Sequence, residues 1–213
     1  MRTLDEFESK QLLAQAGIPC VVEQLADTIA EAVAAAERIG YPVVLKGCGD
    51  AFAHKTELGL VAVGLATPDA LRAASARMLD VMQGRGRLLV QQYVSGRREL
   101  LAGVTRDPQF GPVVTFGLGG VFAEALADVS LRLAPLRNAD AQEMLDEIRG
   151  KAVLEATRGF PAVDRERLAE VLVSLGDLAL ARPDIHEIDI NPLIVVDSGV
   201  IAVDALAVLN DGL

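Results

Sequence analysis

The chain has 213 residues, 51% of them hydrophobic, 23% charged and only 4% aromatic, which allows one large domain or two small lobes around a real core. Thirty acids against twenty Lys and Arg give a net charge of −10, and that argues against a nucleic-acid or anionic-lipid surface. No stretch approaches the roughly 18 uncharged apolar residues of a membrane span, the first ten residues lack the apolar core of a secretory signal, and Cys20 and Cys48 are too few for a disulfide framework. The expectation is a cytoplasmic protein of mixed helix and strand, with neither nucleic acid nor membrane as a partner.

The opening residues predict a helix, with Thr3 and Glu6 at capping-box spacing and Gly17 and Pro19 as its stop. Thr28 and Glu31 cap a second, alanine-rich helix that Gly40 ends. Tyr41 to Lys46 then reads as a buried strand with Lys46 at its end, and Leu60 to Leu65 as another. Thr67-Pro68-Asp69 opens a third helix that Gly84 and Gly86 close. Strands are expected at 88–94, 99–105, 112–117 and 130–134, helices at 138–148 and 164–181, and closing strands at 185–190, 193–197 and 200–205. Helices and strands are interspersed, which points to α+β or α/β architecture, with a lobe boundary near Ser95-Gly96-Arg97-Arg98.

Nucleotide sites of the P-loop or Rossmann kind are excluded by the absence of their glycine motifs, as are the G-x-S-x-G and H-E-x-x-H chemistries. Three constellations remain. Two of the four lysines, Lys46 and Lys55, fall in the segment Lys46-Gly-Cys-Gly-Asp-Ala-Phe-Ala-His54-Lys55-Thr56-Glu57-Leu-Gly59. A lysine on an apolar strand suits a fixed cation facing phosphate oxygens, and a loop imidazole can accept a phosphoryl group; ordinary snorkelling and a solvated histidine explain the same residues. The run Gly117-Leu-Gly119-Gly120 follows a strand and can admit phosphate or simply form a tight turn. Finally, Glu187, Asp189 and Asn191 share one face of an extended strand, with Ile188 and Ile190 on the other. A two-residue Ser198-Gly199 turn would pair Asp204 with Leu193 and set it on the face of Asn191. Such oxygen donors suit Mg²⁺, although a charged sheet edge is an equal explanation.

In this order, EFESKQLLAQAGIP, YPVVLK, HKTELG, LVQQYVSGRREL, GVTRDPQFGPVVTFGLGGVFAEALADVSLRLAPL, the EIRG/ATRG region and HEIDINPLIVVDSGVIAVDA resemble the ATP-grasp (β) subunit of ADP-forming acyl-CoA synthetases. That family includes acetate–CoA ligase and is related to the succinyl-CoA synthetase β subunit. The resemblance implies an α+β ATP-grasp fold of two α/β lobes, 18–94 and 95–213, with the N-terminal helix 1–17 packed on the second and ATP or ADP bound between them. It also implies that Lys46 contacts phosphates, that Gln91, Tyr93 and Val94 meet the adenine, and that Glu99 lies near the ribose. Gly117, Gly119 and Gly120 would bind phosphate, and Asn191 and Asp204 would hold Mg²⁺. His54 would relay a phosphoryl group from a phosphohistidine on a CoA-binding α subunit or domain, so that acyl-CoA, phosphate and ADP give a small organic acid, CoA and ATP. The family loop usually reads H-K-S-D-V-G-G-V, whereas Leu60 replaces the second glycine in this chain. A ligase-like regulatory module that senses nucleotide, as in certain protein acetyltransferases, is the alternative reading. An amide-forming ATP-grasp enzyme, which would not need His54, is a third.

Overall fold

A computed structural model describes residues 1–49, 55–96, 98–120, 127–156, 159–196 and 199–210. The chain divides into two compact units. The smaller comprises Asp5–Phe7 and Val21–Val94, and the larger comprises Met1–Leu4, Glu8–Cys20 and Ser95–Leu213.

The smaller unit is built on a four-stranded antiparallel sheet of β2 (Glu23–Ala26), β3 (Val43–Cys48), β4 (Val61–Leu65) and β5 (Arg87–Gln92), in the order β2-β5-β3-β4. Helices α2 (Ile29–Ile39) and α3 (Pro68–Met82) share its core. Both helices begin as their sequences require: Thr28 accepts from the Glu31 N–H and Thr67 from the Ala70 N–H, each at 3.2 Å. The expected strand at 41–46 runs instead from 43 to 48, and every residue of it is buried. Lys46 is therefore an interior residue of β3, not its end. Leu60, which stands where the family loop usually has a glycine, is wholly buried in the core of this unit. It packs where a side chain on Gly47 would meet it at 3.2 Å. Strand β2 was not anticipated: Glu-Gln-Leu-Ala has no apolar alternation, and only its pairing with β5 makes it a strand.

The larger unit carries a seven-stranded antiparallel sheet. Its strands are β1 (Arg2–Thr3), β6 (Glu99–Asp107), β7 (Gly111–Leu118), β8 (Val129–Leu133), β9 (Ile185–Val196), β10 (Gly199–Ala202) and β11 (Ala205–Leu209). They run β1-β11-β9-β6-β7-β8, with β10 also paired to β9. Helices α4 (Asn138–Glu147) and α5 (Arg165–Ala181) pack on one face, against Val104, Val114, Phe116, Ile188 and Ile190 among others. Residues of alternate parity, including Glu187, Asp189 and Asn191, therefore point to the opposite face.

Four expectations need correction. Strand β9 is one twelve-residue strand rather than two, because β6 pairs along both halves while its other edge passes from β11 to β10. The expected strand at 200–205 is broken into β10 and β11. The register sets Ala202 opposite Leu193, two residues away from the expected pairing. Helix α1 (Glu6–Gln15) starts at Glu6, and Thr3 belongs to β1 instead of capping the helix.

Candidate functional site

In the smaller unit the expected cation lies in an ion-pair cluster. The Lys46 ammonium donates to Glu6 Oε1 at 2.6 Å, with the two side chains 8% and 1% exposed. The second Glu6 oxygen accepts from Lys55. One buried carboxylate thus balances two ammonium groups, and the three side chains together keep one positive charge. The expected place of Lys46 at the strand end is corrected: it lies inside β3, and its ammonium meets the buried Glu6 carboxylate.

Gln91 pairs with Val44, and Lys46 with Leu89; strand alternation therefore puts Gln91, which is buried, on the sheet face that carries Lys46. Tyr93 is exposed and Val94 half-buried just beyond β5, where the Gln92 N–H donates to the Val22 carbonyl at 2.8 Å. His54 lies outside the described residues. The turn that follows it closes with the Leu60 N–H on the Lys55 carbonyl at 2.8 Å, so Lys55 and Leu60 anchor it at both ends. Burial pushes the Cys48 thiol up to about 12, which leaves it protonated and unreactive near neutral pH.

In the larger unit the oxygen-bearing residues converge on the sheet face away from the helices. The register is the same on either side of the β10–β11 break, from Ala202 opposite Leu193 to Ala205 opposite Ile190. It sets Asp204 across from Asn191, and the Val203 N–H donates to the Pro192 carbonyl at 3.2 Å. Asn191 and Asp204 share a face as expected, because each adjoins one of two paired core-facing residues, Ile190 and Ala205. Leu193 does not share it, since the β6 pairing shifts between Leu100 and Ala102 and Leu193 lies in the core with Ile190. Asn191 Oδ1 accepts from the Gly120 N–H at 3.1 Å, which ties the glycine run to this pair. Asp189 lies between Gly103 and Leu206 on the neighbouring strands. Its carboxyl is raised to about 6, first by burial and then by the charges of Glu187 and Asp204.

These residues fit a divalent cation. Asn191 and Asp204 offer uncharged and anionic oxygen, and the carboxylates beside them repel one another in the cation's absence. Among the described residues no group of three or more His, Cys, Asp and Glu could hold a metal alone. A cation here would rely on two protein oxygens plus phosphate oxygens, the usual arrangement for Mg²⁺.

The other larger-unit residues are placed as follows. Glu99 begins β6 and is exposed, and its carbonyl accepts from the Gly119 N–H at 2.9 Å. A Cβ on Gly120 (φ +58°) would strike the Glu99 carboxylate, and one on Gly119 the Leu100 carbonyl. A Cβ on Gly117 would meet the Asp128 carbonyl at 2.5 Å. Close approach of a neighbouring backbone therefore requires glycine at 117 and 119, and the positive φ favours it at 120. Sequence reasoning missed two anchors. Glu6 had been assigned to a helix cap. Asp128 is buried and accepts from the Arg149 and Gly150 N–H groups at 2.9 and 2.7 Å. Burial raises its carboxyl, but those two bonds and the Arg149 guanidinium at 3.5 Å outweigh it and hold Asp128 below the usual carboxylate range. No local spacing marks either residue.

An ATP-grasp domain model matches residues 1–209, and the chain belongs to the ATP-grasp family. It is 40% identical to the acetate–CoA ligase [ADP-forming] I subunit beta of Pyrococcus furiosus, over 98% of this chain and 92% of that one. It is 38% identical to acetate–CoA ligase [ADP-forming] I of Archaeoglobus fulgidus, over 96% of this chain but only 30% of that longer protein. Among solved structures it resembles a Ca. Korarchaeum cryptofilum dinucleotide-forming acetyl-coenzyme A synthetase 1 in complex with coenzyme A, Ca-AMPCP and HgCl⁺. That match has a TM-score of 0.94 and 37% identity, and it covers 98% of this chain and 94% of the other.

Proposed function

We propose that the chain is the nucleotide-binding part of an ADP-forming acid–CoA ligase, which converts acyl-CoA, phosphate and ADP to acid, CoA and ATP in the cytoplasm. The observation that carries this reading is the setting of Asn191, Asp204 and Gly120 on one sheet face, in a chain that matches a ligase β subunit along nearly its whole length. Lys46 supplies fixed positive charge to phosphate oxygens, and Glu6 holds that charge in place. Gln91, Tyr93 and Val94 receive the adenine, and Glu99 the ribose. The Gly119–Gly120 backbone closes on the phosphates beside Asn191. Asn191 and Asp204 would hold Mg²⁺, which neutralises phosphate charge when bound. His54 accepts the phosphoryl group from a partner's phosphohistidine and passes it to ADP, so that one long transfer becomes two short ones. The partner is a CoA-binding α subunit or domain. The β-subunit relative supports this, as does the larger ligase of which this chain matches 30%.

Calorimetric titration with ADP and ATP, with and without Mg²⁺, tests the nucleotide half. Wild type binds in a Mg²⁺-dependent manner, and Lys46→Ala weakens binding at least tenfold. His54→Ala retains nucleotide binding and loses phosphoryl relay once the α partner is added. Unchanged relay in that variant would overturn the assignment of His54 and favour ligand sensing or amide-forming chemistry.

A further inference from the structure

Lys10 is a buried charge that the proposed reaction leaves unexplained. It lies in α1 within the larger unit and is 1% exposed, among the largest fully buried side chains of the chain. A buried ammonium is costly unless its protons find acceptors. Lys10 Nζ donates to the Val203 carbonyl at 3.3 Å, across 193 residues of sequence. That carbonyl shares a planar peptide unit with the nitrogen of Asp204. Fixing the oxygen therefore fixes the plane from which the Asp204 side chain springs.

Three further bonds from the same N-terminal segment bracket this stretch. The Ala202 N–H donates to the Pro19 carbonyl at 2.8 Å, the Ala207 N–H to Ser9 Oγ at 3.0 Å, and the Leu4 N–H to the Ala207 carbonyl at 2.9 Å. The stretch needs such support because it is the break between β10 and β11, where neither strand's ladder includes Asp204. Pro19, Lys10 and Ser9 take hold immediately before, beside and after it.

We propose that Lys10 is a positioning residue for Asp204, setting its carboxylate for a divalent cation shared with Asn191, with Ser9 as a weaker auxiliary. This rests on the reading of Asn191 and Asp204 as the cation's ligands. Loss of a group that orients a metal ligand typically weakens metal affinity by about 10–100-fold.

The test is calorimetric titration of the intact chain with ADP at a series of MgCl₂ concentrations, accompanied by metal-free thermal melts. Lys10→Met keeps the length of the side chain and removes the ammonium. Its Mg²⁺ midpoint should rise about tenfold, with ADP affinity in EDTA unchanged. Asn191→Ala, run in parallel, should shift the midpoint as well. If Asn191→Ala shifts it while Lys10→Met only lowers the melting temperature, Lys10 is merely structural and the proposal is overturned, although the cation reading stands. If Asn191→Ala leaves the midpoint in place, the cation reading falls and takes the proposal with it. Should Lys10→Met fail to fold, Ser9→Ala decides: a midpoint raised about two- to threefold supports the proposal, in keeping with the loss of one ordinary hydrogen bond, and an unmoved one overturns it.

Discussion

The two units place charge on their sheets in opposite ways. In the smaller, an interior strand lysine is matched in the fold by a buried carboxylate that also serves Lys55. In the larger, burial first and then the charges of Glu187 and Asp204 lift the Asp189 carboxyl to about 6. The smaller unit thus holds its cation in a finished arrangement, whereas the larger holds an excess of negative charge that a bound cation would relieve. The difference shows that the fold itself supplies a counter-charge to its buried lysine, whereas it sets Asp189 beside further acids.

The largest expected effect tests the finished arrangement. Glu6→Gln withdraws the shared anion from two ammonium groups whose side chains are 8% and 17% exposed. Breaking a buried pair from one side costs about 3–5 kcal/mol, read as loss of unfolding free energy in urea. Lys46→Met should cost less, because Lys55 still meets the carboxylate. Equal losses in the two variants would break the comparison, since they would mean that Glu6 and Lys46 act as an isolated pair.

Asp128 sharpens the comparison from the larger unit, where an acid is fully provided for. Asp128→Asn should cost about 1.5–3 kcal/mol at pH 7, the range for hydrogen bonds to a charged group. The pH dependence has a fixed sign. The folded Asp128 carboxyl titrates below its unfolded value of about 3.9, so its stabilisation is complete above that value and is lost as the pH falls through the folded one. Urea melts should show a constant gap between wild type and variant from pH 6 to 8, closing below about pH 4. A gap that widened in acid would reverse the assignment.

What the sequence disclosed follows the range over which each interaction acts. The helix starts at Thr28 and Thr67 were readable because donor and acceptor lie three residues apart. The oxygen-bearing face of β9 was readable because strand alternation is local, and it survived a register wrong by two residues. Strand β2 and the β10–β11 break were not readable, since each depends on which neighbour a short segment finds. The same holds for the anchors. Glu6 reaches Lys46 across 40 residues, Asp128 reaches Gly150 across 22, and Lys10 reaches Val203 across 193. The glycine run was visible as a motif, but its physical cause, a neighbouring backbone at Gly117 and Gly119 and a positive φ at Gly120, belongs to the folded sheet and not to the spacing.

The smallest expected effect returns to the smaller unit, where a second ion pair serves as the control for the first. Arg87 donates to both oxygens of Asp27 at 2.6 and 2.9 Å, a better geometry than a single contact provides. The two side chains are nevertheless 47% and 60% exposed, so water competes for the same groups. A double-mutant cycle of Arg87→Ala and Asp27→Ala should give a coupling below about 1 kcal/mol. It should fade in 1 M salt, where the screening length is about 3 Å. The Glu6–Lys46 coupling, measured the same way, should persist at that salt because both groups are shielded from solvent ions. If both couplings faded alike, burial of the Lys46 cluster would not be what holds its charge in place.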